Sequence, residues 1–81
     1  MKGKIVLANI GHGRYAAEMD DSEFIAFELM DGVELALGTI FEADIGGHGG
    51  ETFTTADGEA FSVHVEMLGA SRVAACAWAR T

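Results

Sequence analysis

Apolar and polar side chains alternate along several short runs, and this alternation most constrains how the chain can fold. In the run "FSVHVEM", Phe61, Val63, Val65 and Met67 share one face, and Ser62, His64 and Glu66 share the other. The runs "EFIAFELM" and "VELALGTIF" repeat with the same period of two. This period is typical of half-buried strands, because successive side chains of a strand point to opposite faces. The sequence therefore predicts a protein built mainly of β-strands.

Turn residues separate these runs. Asp-Gly occurs in "MDGVE" and in "TADGEA", and "MDDSE" supplies a third polar turn. Asp-Gly between alternating segments indicates a hairpin, because both central residues of a type I′ turn need a positive φ. We predict strands over residues 3–10 continuing with a bend through 14–19, then over 23–30, 33–42, 51–55 and 59–68.

The C-terminal segment "GASRVAACAWART" differs from the rest of the chain. Ser71 is a good N-cap, and the alanine-rich residues Arg72 to Ala79 favour a short helix. Val73, Ala77 and Arg80 have the spacing of one helical face. A last strand is the alternative for this segment. In the helical interpretation, Trp78 lies partly against the sheet or against a partner.

Five predicted strands with short connections have few compact arrangements. Rolling the sheet into a barrel removes most exposed edges, and strands that bend at glycines allow such rolling. We therefore predict one all-β domain over residues 1–81, a five-stranded OB-like barrel with a short C-terminal helix; another small open barrel is the alternative. In this fold the glycines of "IGHGR" bend the first strand, and those of "IGGHGGE" form a long crossing link.

A resemblance supports the same fold. The segments "MKGKIV", "GRYAAEMDDSEFIAFEL", "GVELALGTI", "GGETF" and "GEAFSVHVE" occur in this order before a helix of small residues. This order resembles a family of short, uncharacterised bacterial proteins with an OB-fold-like barrel. The chain departs from the family pattern at Gly38-Thr39, where Gly-Asp is expected, and at Thr54-Thr55, where Asn is expected. The resemblance implies the barrel and carries no activity, cofactor or catalytic residue.

The charges are distributed unevenly along the chain. The net charge is −8, no lysine or arginine occurs from Tyr15 to Ser71, and all 13 acidic residues lie between Glu18 and Glu66. Such a surface repels phosphate backbones, so the pattern disfavours nucleic acid as a ligand. The single cysteine, Cys76, has no partner for an internal disulfide, and no run has the length of a membrane span. We expect a cytoplasmic protein without a membrane segment.

Two of the three histidines lie among glycines, His12 in "IGHGR" and His48 in "IGGHGGE". Imidazoles with a carboxylate could ligate zinc or nickel, so His12 and His48 are weak metal candidates. No two histidines have the spacing of a preformed site, and solvated loop histidines explain the pattern better than a metal site does. A phosphate-binding glycine loop would precede a helix, whereas a strand is predicted after "GGHGG".

The sequence offers no catalytic arrangement. Cys76 lies in an apolar alanine-rich segment, and the serines have structural roles as turn, strand surface and cap. We identify no set of nucleophile, base and acid, and therefore no catalytic residue and no cofactor. We expect that the protein is not an enzyme.

Aromatic residues remain as candidates for a contact with another molecule. Most of them fall on core faces, which leaves Phe24, Phe53 and Trp78 for a protein contact. The run "EFIAFELM" is also apolar on both faces. We therefore expect a non-enzymatic, acidic binding or assembly module that self-associates or docks on a basic partner protein. An OB-fold protein that binds single-stranded nucleic acid by base stacking, and a metal-binding protein, are the alternatives.

Overall fold

A computed structural model describes all 81 residues, and it shows six antiparallel strands closed into a barrel. Around the barrel the order is β1-β2-β3-β6-β5-β4, and β4 pairs with β1 to close it. One short helix follows the last strand. The elements are β1 (Lys2–Asn9), β2 (Arg14–Met19), β3 (Phe24–Leu29), β4 (Ile40–Glu42), β5 (Gly49–Thr55), β6 (Ala60–Ala70) and α1 (Arg72–Arg80). The prediction of a β-barrel with a C-terminal helix is confirmed, whereas the predicted number of five strands is wrong.

The first predicted strand is in fact two strands. The chain does not bend at "IGHG" but reverses there through a single 3-10 turn over Ile10–His12, and β2 returns antiparallel to β1. Gly13 closes the turn with φ +65°, and its N–H donates to the carbonyl of Ile10 (3.2 Å). A left-handed backbone at this position favours glycine. The glycine therefore makes a hairpin, which adds the sixth strand.

The predicted strand over 33–42 is also wrong for most of its length. Only Ile40–Glu42 forms a strand, because β3 pairs with β6 and not with the segment that follows it in sequence. The Asp31 carboxylate accepts a hydrogen bond from the Ser62 N–H (2.7 Å). The segment "MDG" is therefore held against β6 and does not form the predicted hairpin. Leu35 is buried, but Leu37 is 66% exposed, so these two residues do not share a face. We name residues 30–39 the crossing segment.

Five aromatic rings fill the barrel: Tyr15, Phe27, Phe41, Phe53 and Phe61 are each at most 1% exposed. Their arrangement follows the alternation within the strands, with Phe53 of β5 directly opposite Phe61 of β6. Phe41 and Phe53 stack with ring centroids 5.1 Å apart, and Phe27 meets Phe53 edge to face at 5.4 Å. Both geometries are favourable for aromatic pairs. No polar or charged side chain other than the Tyr15 hydroxyl reaches this core as a buried group.

The buried Tyr15 hydroxyl fastens the crossing segment to the barrel. It accepts a hydrogen bond from the Leu35 N–H at 3.2 Å, and the Leu35 side chain packs into the core. In Tyr15→Phe the Leu35 amide loses this partner while buried. We expect the free energy of unfolding to fall by about 1 to 2 kcal/mol in urea titrations, and the Leu35 amide to exchange hydrogen faster. Unchanged exchange at Leu35 would contradict this role.

Helix α1 covers the outer face of β2 and β3. Its first turn is capped as predicted, since the Ala74 N–H donates to Ser71 Oγ (3.1 Å). The buried face consists of Ala75, Cys76 and Ala79, whereas Val73 of the predicted face is 78% exposed. Small side chains let the helix lie close to Ala16, Phe24 and Ala26 of the sheet, with which they form a second apolar cluster.

This helix explains why β3 is apolar on both faces. Ile25 and Phe27 face the barrel interior, and Phe24 and Ala26 face α1. Both apolar faces of β3 are therefore buried within one chain, so this strand gives no reason to expect self-association. At nine residues, α1 is the longest helix, and the protein has no helix of the length and apolarity needed to cross a membrane.

Candidate functional site

The three aromatic residues predicted to contact a partner do not form an open patch. Phe53 is fully buried in the barrel, and Phe24 is only 8% exposed beneath α1. The guanidinium carbon of Arg72 lies 5.1 Å from the Phe24 ring centroid. Trp78 is half-buried, and the guanidinium carbon of Arg14 lies 4.5 Å from its ring. Phe53 thus serves the core, and the faces of the other two rings are used within the chain.

The structure also separates the histidines. We name the two ends of the barrel by their connections: the first end holds residues 10–13, the crossing segment and the β5–β6 turn, and the second end holds the β2–β3 turn and residues 43–48. His12 therefore lies at the first end and His48 at the second, so one ion cannot use both within a chain. Nowhere do three His, Cys, Asp or Glu side chains come together in a way that could hold a metal ion.

The histidine contacts are those of surface groups. His12 Nδ1 lies 2.9 Å from the Thr81 carbonyl oxygen and joins the turn to the end of α1. His64 is exposed on β6, with Nε2 3.5 Å from Glu66 Oε1. His48 is exposed in the glycine-rich link. The three histidines therefore lie at three separate places on the surface.

A groove at the first end brings together residues that the sequence did not associate. It lies between the crossing segment and the β5–β6 turn, and its volume is about 470 Å³. We name it the acidic groove, because three carboxylates line it beside hydroxyl and apolar groups. The lining residues are Glu34, Leu35, Ala36, Thr39, Ile40, Thr55, Ala56, Asp57 and Glu59.

Both walls of the acidic groove are fixed by hydrogen bonds. The crossing-segment wall is held by Leu35 on the Tyr15 hydroxyl, and by the Gly38 N–H, which donates to the Ile5 carbonyl (2.8 Å). The walls are joined where the Ala56 N–H donates to the Ile40 carbonyl (3.1 Å). Hydrogen bonds to the barrel and between the two walls therefore define the shape of the groove.

The second wall is the predicted Asp-Gly hairpin, which the structure confirms, but the turn is not type I′ because Asp57 does not have a positive φ. Gly58 adopts φ +94°, and its N–H donates to the Thr55 carbonyl (2.9 Å). The Thr55 hydroxyl donates to the Asp57 carboxylate and accepts from the Glu59 N–H at 3.0 Å. The Asp57 side chain therefore has a fixed direction at the rim of the groove.

The Asp57 carboxylate holds its negative charge more firmly than an ordinary aspartate. The hydrogen bond from the Thr55 hydroxyl lowers the pKa of Asp57 below its usual value of 3.8, and the backbone N–H groups of Asp57 and Glu59 act in the same direction. A hydrogen bond to the charged form favours that form. Because the folded pKa is the lower one, the ionised side chain favours folding above pH 3.8, and this contribution disappears as the pH falls through the lowered pKa.

The carboxylates of the groove have no counterion within the protein. The only ion pairs within 4.0 Å are the Met1 amino group with Glu42, at 3.5 Å, and His64 with Glu66. No lysine or arginine forms an ion pair with any carboxylate. Glu34, Asp57 and Glu59 are all exposed, so their charges face solvent at one end of the barrel.

Apolar side chains stand close to these charges. Six large hydrophobic residues of the protein are exposed, and three of them, Met30, Leu37 and Ile40, lie in or next to the crossing segment. Ile40 lines the acidic groove and is 40% exposed, and Leu37 is 66% exposed. The first end therefore combines unpaired carboxylates with unburied aliphatic side chains.

The basic-free span predicts an acidic surface, but it does not predict the groove. Glu34 and Asp57 are 23 positions apart in sequence, and only the pairing of β4 with both β1 and β5 brings their segments together. The one signal in the sequence is the loss of alternation at Ile40 and Phe41, at the end of the predicted strand over 33–42.

Comparisons with known proteins identify no relative. No family model matches the chain, and no curated protein or solved structure is similar enough to count as a match. The resemblance to short bacterial proteins therefore stays a prediction.

Proposed function

We propose that this protein is a non-enzymatic binding module whose acidic groove takes a basic segment of a partner protein. The observation that carries the proposal is the set of carboxylates at Glu34, Asp57 and Glu59, which have no counterion and lie beside the exposed Leu37 and Ile40. A segment that alternates lysine or arginine with aliphatic residues matches both parts of this surface. Complementary charge speeds and directs such association.

The chemistry of the groove supports binding over catalysis. Its lining contains no histidine, cysteine or lysine, so its titratable groups are carboxylates alone. A carboxylic acid that donates a proton near neutral pH needs a raised pKa. The pKa of Asp57 is instead lowered, which suits a permanent negative charge that attracts a cation.

The nucleic-acid alternative has less support. Base stacking needs exposed aromatic rings beside basic residues. The five aromatic rings of the barrel core are buried, and Phe24 lies beneath α1. Trp78 is the one partly exposed ring beside a cation, and Arg14 lies against it within the chain. The acidic groove contains neither an aromatic ring nor a cation. The acidic groove therefore favours a cationic peptide over a phosphate backbone.

The finer fold assignment belongs to the same proposal. An OB-fold is a Greek-key barrel, in which consecutive strands are not always neighbours. The pairing of β3 with β6, and of β1 with β4, supports an OB-like arrangement in which β4 is a short additional strand. Cys76 is buried and unpaired, which suits the cytoplasmic location that we propose for the module.

Neutralising the groove tests the proposed function. A short blocked peptide of alternating lysine and leucine serves as the probe in calorimetric titrations at low salt. We expect the triple variant Glu34→Gln, Asp57→Asn and Glu59→Gln to bind this peptide about tenfold more weakly, because each exposed ion pair contributes up to about 1 kcal/mol. The change Asp57→Asn removes the charge but keeps a side-chain oxygen that can accept from the Thr55 hydroxyl.

The matched control removes the same number of charges elsewhere. Glu28→Gln, Asp44→Asn and Glu66→Gln all lie outside the acidic groove. This control variant should bind the lysine-leucine peptide nearly as tightly as the natural chain. Equal weakening in both variants would mean that net charge alone attracts the peptide, and the groove would lose its assigned role.

A further inference from the structure

A second, smaller cavity lies at the opposite end of the barrel from the acidic groove. Its volume is about 190 Å³. Apolar side chains form its floor, with Met19 and Ile25 buried in the barrel and Ile45 and Leu68 packed against the core cluster. We name it the second-end pocket. Cavities that hold a drug-sized ligand range from about 300 Å³ upward, so this one suits a single side chain.

Two carboxylates stand at the mouth of the second-end pocket. Asp21 and Glu23 belong to the β2–β3 turn, and both line the cavity. The Glu23 N–H donates to Asp21 Oδ1 (3.0 Å), which fixes the direction of the aspartate. The Glu23 carboxylate occupies the space in which a side chain at Gly69 would lie, since a Cβ there would meet Glu23 Oε2 at 2.8 Å. Neither carboxylate has a cationic group within 4.0 Å, because the amino group of Met1, which also lines the pocket, pairs with Glu42 instead (3.5 Å).

We propose that the second-end pocket binds one lysine side chain of the partner protein. The inference rests on the proposed function, because it assigns a second contact to the same kind of basic partner. A lysine places an aliphatic stem below a compact ammonium, and such stems lie along apolar surface while the charge remains in water. The stem matches the floor of Met19, Ile25 and Leu68, and the ammonium reaches Asp21 and Glu23 at the mouth.

Other cations fit this pocket less well. Calcium takes six to eight oxygen ligands, but the floor of the pocket is built of thioether and hydrocarbon groups. A methylated ammonium is recognised by aromatic rings, and none of the lining residues is aromatic. The combination of an apolar floor with two carboxylates at the mouth therefore favours an unmodified lysine.

Methyl-detected NMR titration at low salt tests this inference. The probe is lysine blocked at both backbone ends, and the comparison compound is the same molecule acetylated on Nε, which keeps the stem and removes the charge. We expect saturable shifts of the methyl signals of Ile25, Ile45 and Leu68 with blocked lysine, and none with the acetylated compound. In the double variant Asp21→Asn and Glu23→Gln, the dissociation constant should rise at least about fivefold.

The groove variant separates this inference from the proposed function. The triple variant of Glu34, Asp57 and Glu59 should leave the pocket shifts with blocked lysine unchanged, because the two sites lie at opposite ends. The absence of shifts at Ile25, Ile45 and Leu68 would overturn the inference. So would equal shifts with the acetylated compound, or an unchanged dissociation constant for blocked lysine in the double variant. None of these results contradicts the proposed function if the lysine-leucine peptide still binds the groove variant more weakly than the control variant.

Discussion

Replacement of Phe27 by alanine is expected to lower the free energy of unfolding by about 3 to 5 kcal/mol, the usual cost of removing a buried phenylalanine. Phe27 is fully buried and lies at the centre of the aromatic core. Its ring centroid lies 5.6 Å from that of Tyr15, 6.0 Å from Phe41 and 5.4 Å from Phe53. Because rings surround the vacated space on several sides, the core cannot close it by moving one side chain.

Urea unfolding followed by circular dichroism measures this loss. Small domains are stabilised by about 5 to 15 kcal/mol in total, so Phe27→Ala approaches complete unfolding, and Phe27→Leu supplies a milder variant that stays measurable. Val73→Ala is the control, because Val73 is 78% exposed on α1 and its loss should change the stability by less than about 0.5 kcal/mol. A loss below about 1 kcal/mol for Phe27→Ala would contradict the assignment of Phe27 to the centre of the core.

Adding one methyl group at Gly3 is expected to cost about 2 to 3 kcal/mol, or more. Gly3 lies in β1 between Phe41 of β4 and Met19 of β2. A Cβ at this position would lie 2.5 Å from the Phe41 ring and 2.8 Å from the Met19 sulfur. Met19 is flexible, but the Phe41 ring is stacked on Phe53 and cannot withdraw without disturbing the core. The absence of a side chain at Gly3 is therefore what lets β4 close the barrel.

Gly50→Ala is the matched control for Gly3→Ala. Gly50 also lies in a strand and has no positive φ, but a Cβ there meets no atom within 4 Å. The control should unfold at nearly the same urea concentration as the natural chain, while Gly3→Ala should unfold at a clearly lower one. Similar midpoints for the two variants would show that Phe41 does not pack over Gly3.

Strand content was predictable where one face of a strand is solvated. Phe61, Val63 and Val65 alternate with exposed Ser62, His64 and Glu66, as the period of two predicted. The Asp57-Gly58 turn was likewise predictable, because β5 and β6 follow each other in sequence and also pair with each other in the barrel. Local pattern and tertiary pairing agree at these places.

The same signals failed where pairing is not local. Asp31-Gly32 has the sequence of a hairpin, but β3 already has β2 and β6 as neighbours, so the chain must cross to β4 instead. "GHG" allows either a bend or a reversal, and the antiparallel pairing of β1 with β2, from Gly3 opposite Met19 to Asn9 opposite Arg14, shows that the two strands form a hairpin. Turn residues in the sequence indicate where the chain can reverse direction, but they do not determine which strand the next segment pairs with.

The glycine-rich link shows a similar limit. "IGGHGGE" was expected to be a long crossing link, whereas it joins β4 to its antiparallel neighbour β5. Its last two glycines, Gly49 and Gly50, are already part of β5. Its apolar residue, Ile45, packs against the core and lines the second-end pocket. Ile45, and not His48, makes the contact that positions this segment.

The central claim is that the acidic groove, and not the acidic surface as a whole, receives a basic segment. The most direct test is an amide NMR titration of the natural chain with the blocked lysine-leucine peptide at low salt. We predict saturable shifts concentrated at residues 34–40 and 55–59, with weaker shifts permitted at the second-end pocket. Shifts spread evenly over all exposed carboxylates, or absent from both groove walls, would contradict the claim.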